Sequence, residues 1–118
     1  MTELKLIDTT SENRRVYQIP RLVIQGRKIK ILIIDPHYEE NHPYMTDEKI
    51  YHLVKKYLPN NEPKSAKKDG LWEYLVWEPL VYENKIHRLI ACFHEEKTNF
   101  LGIVHCYRIK KSKYDKKN

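Results

Sequence analysis

The stretch Ile31-Leu32-Ile33-Ile34-Asp35-Pro36-His37-Tyr38-Glu39-Glu40-Asn41-His42-Pro43-Tyr44 decides how the chain is read. A continuous β-branched and apolar run, of the kind that fills a strand buried on both faces, passes at Asp35-Pro36 into a segment dense in histidine, carboxylate and tyrosine. Immediately after it, Thr46-Asp47-Glu48 supplies a hydroxyl N-cap and two acidic residues suited to a helix N-terminus. Ile50, Leu53, Val54, Tyr57 and Leu58 then recur at helical spacing until Pro59-Asn60-Asn61 ends the segment. The junction of a strand and a helix is where a small domain can mount chemistry.

Working back from Ile34, the chain from Val16 onward is β-rich and broken at Gln25-Gly26-Arg27, which reads as a hairpin turn. Leu4-Lys5-Leu6-Ile7 is a short strand candidate, followed by a polar loop over residues 8–13. Working forward from the helix, residues 59–70 read as a long polar loop carrying Lys64, Lys67 and Lys68. Three strand candidates close the chain at Leu71–Tyr82, Ile86–His94 and Phe100–Ile109, joined by connections of hairpin length. Pro79 cannot donate to a ladder, so the first of these strands is expected to bend or lie at an edge near its middle. The expected fold class is α+β: an N-terminal hairpin, one main helix, then a three-stranded antiparallel meander, all in one antiparallel sheet.

At 118 residues the chain has the length of a single domain, expected over residues 1–109, with a basic tail at 110–118 expected to be disordered. A 41% apolar and 32% charged composition supports a folded core, and the mean hydropathy of −0.74 leaves no run approaching a membrane span. The N-terminus lacks the layout of a signal peptide, so a soluble cytoplasmic protein is expected. A formal charge of +6 makes polyanions plausible partners. Cys92 and Cys106 sit in apolar strand patterns and read as buried free thiols.

Pairing the last two strands through a tight turn sets Arg88 across from His105 and gathers Arg88, His105, Tyr107 and Arg108 at one end of the meander. His105 and Tyr107 then share one face, and Cys106 and Arg108 the other. With His37 and His42, this gives imidazoles, phenols and guanidiniums without a well-placed serine or cysteine nucleophile. Such a set suits metal-independent RNA cleavage, in which the substrate's own 2′-hydroxyl attacks and the protein supplies a base, an acid and positive charge. Arg88, Lys64, Lys67 and Lys68 are the candidate substrate-binding cations. A metal site built from His37, Glu39, Glu40 and His42, with His52, is the rival chemistry. No spacing here matches HExxH, and alternation in an extended segment puts His37 and His42 on opposite faces. Polar residues that merely finish a strand are the plainest alternative. Trp72 and Trp77 read as core or edge packing rather than base-stacking platforms.

The apolar strand, the H-x4-H pair in His37-Tyr38-Glu39-Glu40-Asn41-His42, the helix, and the closing Ile103-Val104-His105-Cys106-Tyr107-Arg108 resemble the barnase/EndoU/colicin/RelE-type superfamily of small toxin ribonucleases. The likeness spans roughly residues 28–109 and rests on element order and a few positions. It implies metal-independent RNA cleavage on an antiparallel sheet, no cofactor, and neutralisation by an antitoxin or immunity protein. By position it implies His37 or His42 as the acid/base residue, Arg108 as the phosphate stabiliser and Tyr107 as a substrate contact. Many relatives carry threonine or serine where this chain has His105. The alternative from another class is a non-enzymatic basic module that binds nucleic acid or a protein partner, such as an accessory or inhibitor protein of phage or mobile-element origin.

Overall fold

In the computed structural model, which describes residues 3–110, the turns follow from the backbone. Gln25 and Gly26 both take positive φ, 51° and 76°, as a two-residue hairpin turn requires, and they join β2 (Arg15–Ile24) to β3 (Arg27–Ile34). Glu83 and Asn84 do the same, at 53° and 62°, between β5 (Trp72–Tyr82) and β6 (Lys85–His94). β1 (Lys5–Thr9) pairs outside β2, and β7 (Phe100–Ile109) pairs antiparallel to β6.

The architecture expected from the sequence is overturned on three counts. First, the sheet is not purely antiparallel: its order is β1-β2-β3-β7-β6-β5-β4, and β3 runs parallel to β7 from Ile31↔Phe100 to Ile34↔Ile103. Hairpin signals are local, whereas a parallel pair needs a long crossover that no adjacent residues announce. Second, β4 (Ser65–Asp69) occupies the segment that reads as loop and pairs with β5 around Gly70 and Leu71. All five of its residues are exposed, so as an edge strand it is held by backbone hydrogen bonds and leaves no apolar alternation to read. Third, there are two short helices: α1 (Tyr38–Asn41) lies within the histidine segment, ahead of α2 (Asp47–Tyr57). The sheet therefore has seven strands, not a hairpin followed by a three-stranded meander.

The capping of α2 follows the sequence pattern, with the Thr46 side chain accepting from Lys49 N–H at 3.1 Å. Ile50, Leu53 and Val54 of α2 and Leu58 of the following 3₁₀ turn are fully buried with Leu32, Ile34, Leu75, Trp77, Leu89 and Leu101. Removing such side chains from water contributes about 1.5–3 kcal/mol each. β3 keeps both Ile29 and Leu32 in the core through a bulge at Lys30–Ile31, whose two N–H groups share the Asn99 carbonyl. Pro79 lies in a register irregularity of β5 between Trp77 and Leu80, beyond the reach of β4, where no ladder donor is needed.

On β6, His87, Leu89, Ala91 and Phe93 face the core while Arg88, Ile90 and His94 remain half-exposed. This alternation, in which Cys92 is the one covered residue on the outer side, gives the sheet one face under α2 and one open face. Cys92 and Cys106 are buried free thiols. The basic tail lies outside the described residues except for Lys110. Among the described residues no helix is long and apolar enough to cross a membrane.

Candidate active site on the open sheet face

A single bulge decides what β7 presents. Ile90 pairs with His105 but Ala91 with Ile103, so Val104 is an extra residue. Leu101 and Ile103 face the core before the bulge and Cys106 faces it after. Uninterrupted alternation would carry His105 into the core behind Ile103; the bulge turns His105 and Tyr107 onto the open face instead.

Beyond Ile103, β7 loses β3 as a neighbour, and residues 35–44 take its place. Asp35 N–H donates to the Ile103 carbonyl at 3.3 Å, and the Tyr44 hydroxyl accepts from Arg108 N–H at 2.9 Å. Between these anchors α1 coils the chain. A helical residue advances only about 1.5 Å, so His37 and His42 stay near one another, where an extended segment would have splayed them to opposite faces. The structure thereby corrects the expectation that only one of them reaches the sheet. His37 stacks on His105 with ring centroids 5.2 Å apart and planes 6° from parallel. His42 meets the same ring at 5.2 Å edge-on and stacks on Tyr107 at 5.3 Å. His37, His42, His105 and Tyr107 thus form one cluster.

Each flanking histidine is pinned through Nδ1. His37 Nδ1 lies 2.9 Å from Asp35 Oδ1, which also accepts the His37 N–H at 3.0 Å. An ionised carboxylate only accepts, so Nδ1 carries the proton and Nε2 is left free. Burial pushes the Asp35 carboxyl up, but hydrogen bonds from the His37 backbone and ring and from Arg14 outweigh it and hold the group below the usual carboxylate range. His42 Nδ1 is engaged by the Tyr44 hydroxyl at 2.9 Å, so there too Nε2 is the nitrogen left to act. His105 sits between them with its buried Nδ1 unpartnered. Burial, then the positive charge available at His42 and His37, lowers its pKa, which keeps the ring neutral near pH 7.

The two arginines separate. Arg88 lies across from Tyr107 on the open face, two residues along β7 from the expected partner His105 and on the same side. Its buried Nε has no hydrogen-bond partner, and among the described residues it makes no ion pair. Arg108 lies across from the buried His87, on the α2 side, with its guanidinium 4.1 Å above the Tyr44 ring. By strand register the arginine on the face of the histidines is therefore Arg88, whereas Arg108, whose buried Nε is equally without a hydrogen-bond partner, lies on the other face and stacks on Tyr44. Lys64, Lys67 and Lys68 are not brought to the cluster: β4 is the far edge of the sheet, where Lys64 pairs with Glu78 at 2.7 Å and Lys68 with Glu95 at 3.4 Å.

The rival ligand set is dispersed. Glu39 pairs with Arg15, and His52 packs against Tyr82 with centroids 5.0 Å apart. Among the described residues no group of three or more histidine, cysteine or carboxylate side chains is arranged to hold a metal ion.

Two parts of the site are not among the sequence candidates. Asp35 and Tyr44 orient the histidines, and an Asp two positions before a His at a strand end is the one local signal that could have marked the first. The second is a polar hub on the other side of the same segment. Asp47 accepts from Arg15 Nε at 2.6 Å and from the hydroxyls of Tyr17 and Tyr38, both at 2.5 Å. Burial pushes the Asp47 carboxyl up, and these three donors outweigh it and leave it below the usual range. Burial and the Asp47 charge push the Tyr17 phenol up to about 12.

No family model, curated protein or solved structure matches the chain.

Proposed function

We propose that the open sheet face cleaves RNA, with His37 as general base, His42 as general acid and Arg88 holding the scissile phosphate. The observation that carries this reading is the arrangement of His37 and His42 on either side of His105, both pinned at Nδ1 and both free at Nε2. His37 Nε2 takes the proton of the 2′-hydroxyl as its oxygen bonds to phosphorus, and Asp35 compensates the charge that appears on the ring. The bond from phosphorus to the 5′-oxygen breaks, and His42, entering as the imidazolium, gives its Nε2 proton to that oxygen. The products are a 2′,3′-cyclic phosphate and a free 5′-hydroxyl. The unpaired Arg88 charge stabilises the added negative charge on the phosphorane. His105, neutral between the two, donates or accepts a hydrogen bond without competing for their protons.

The test is incubation of total RNA in EDTA with wild-type, His37→Ala, His42→Ala and His105→Ala proteins, each checked for folding by circular dichroism. Wild type should leave cyclic phosphate ends, and His37→Ala or His42→Ala should lose a factor of about a hundred or more. Intact RNA with wild type, with or without added divalent metal, would sink the proposal. Cleavage only with metal would replace it with metal-assisted chemistry.

A further inference from the structure

Next to the histidine cluster, the open face dips into a groove of about 430 Å³, within the roughly 300–1,000 Å³ range of small-ligand sites. Trp72, Tyr74 and Phe100 line it, with Ile33 and Val104 beneath and Arg14 and Asp35 at one end. Gly102 keeps the floor low: a Cβ there would meet Cys92 Sγ at 2.8 Å, so no side chain fits between them. Trp72 is 38% exposed and stands edge-on to Phe100, with ring centroids 6.0 Å apart. An exposed tryptophan on a strand of this domain packs no core. Trp77, 1% exposed, packs in the core, and Trp72 packs at the end of the sheet, where His94 also meets its ring at 4.7 Å and part of its surface stays open to the groove.

Asp35 belongs to both places. It lines the groove and holds His37, so whatever fills the groove adjoins the acid/base cluster. Charge on the far side of the cluster is supplied by the unpartnered Arg88, in a chain of net charge +6. An aromatic slot on one side and an unmatched cation on the other fit a flat heterocycle joined to an anion. We infer that the groove holds one unpaired nucleobase of a single-stranded RNA, placing the adjoining phosphodiester at His37, His42 and Arg88. This rests on the reading of the face as an RNA site and adds the form of the RNA: a base stacked inside a duplex has no free face to offer Trp72 or Phe100, so duplex RNA is excluded.

The experiment separates binding from cleavage. A single-stranded 2′-O-methyl hexanucleotide, which lacks the attacking hydroxyl, is titrated against the protein while tryptophan emission is followed, and the same strand is then titrated as a duplex. The single strand should quench Trp72, with buried Trp77 as the unaffected background, and the duplex should not. Phe100→Ala should weaken binding about tenfold, and Trp72→Ala, with the fold of both variants checked by circular dichroism, should weaken it similarly when binding is read by anisotropy of a labelled strand. Equal binding of duplex and single strand, or full affinity in both variants, overturns the groove assignment whether or not the protein cleaves RNA. Groove binding as described, together with an intact unmodified hexanucleotide, supports the groove and removes the nuclease reading alone.

Discussion

Two polar clusters hang from residues 35–47, and they differ in how completely they are satisfied. Around Asp47, every strong donor has its acceptor: Arg15 gives two hydrogen bonds and a third to Glu39, and Tyr17 and Tyr38 close the remaining lone pairs. Around His105, the Nδ1 atom and the neighbouring Arg88 Nε are buried without partners. An unsatisfied buried polar atom costs about 1–3 kcal/mol; a third, Arg108 Nε, lies on the opposite face over Tyr44, so the unmet atoms gather at this end of β6 and β7 while the Asp47 hub has its needs met. The Asp47 hub ties β2 to α1 and α2. In the proposed reading it is the Nε2 atoms of His37 and His42, not these buried atoms, that meet the RNA.

The largest expected effect is on the hub. Asp47→Ala leaves two phenols and part of the Arg15 guanidinium without their shared acceptor and should cost about 2–4 kcal/mol in urea denaturation, between an exposed and a buried ion pair because the hub is half-buried. A loss below about 1 kcal/mol would place the hub among exposed ion pairs and erase the contrast. Next comes the division between the arginines. Arg88→Ala should lower kcat/KM for RNA on the order of a hundredfold with little change in thermal midpoint. Arg108→Ala should act the other way, costing about 0.5–2 kcal/mol through loss of its stack on Tyr44, with cleavage nearly retained. Equal kinetic effects would mean that the face assignment of the two side chains does not govern their roles.

That face assignment was legible in the sequence, although the register was not. Placing Arg88 opposite His105 is wrong by two residues, since Arg88 pairs with Tyr107, but a two-residue slip preserves faces, so His105 and Tyr107 still part from Cys106 and Arg108. The paired positive φ values at Gln25-Gly26 and Glu83-Asn84 were legible as turns because turn chemistry is local. The Val104 bulge was not, because Ile103-Val104-His105 alternates as well with an extra residue as without one. Nor was β4, whose Ser65-Ala66-Lys67-Lys68-Asp69 pairs through its backbone alone. The convergence of His37 and His42 was hidden by taking α1 as extended. Four residues are too few for a periodic signal, and the turn is held by Asp35 and by contacts to β7 that no local pattern encodes.

The smallest effect separates the clusters along the pH axis. Burial and the neighbouring charges of His42 and His37, against a smaller opposing pull from Asp35, lower the His105 pKa from 6.5 in the folded chain. Between that depressed value and 6.5 the unfolded chain binds more protons than the folded one, so stability falls as pH drops through this window. His87, buried on the other face and lowered chiefly by burial, contributes in the same direction. Asp47 behaves oppositely in position: its carboxyl is held below 3.8, so its contribution is complete above that pH and is lost only as pH falls through the depressed pKa. Urea midpoints measured from about pH 8 to about pH 3 should therefore decline in two steps. His105→Asn should shrink the first step to the part left by His87 and spare the second, whereas Asp47→Ala should spare the first and shrink the second to the part left by Asp35 and Glu3. A first step unchanged in His105→Asn would mean that the ring takes up its proton as easily in the fold as out of it, and the cluster would then lose the neutral histidine that keeps His37 and His42 in separate roles.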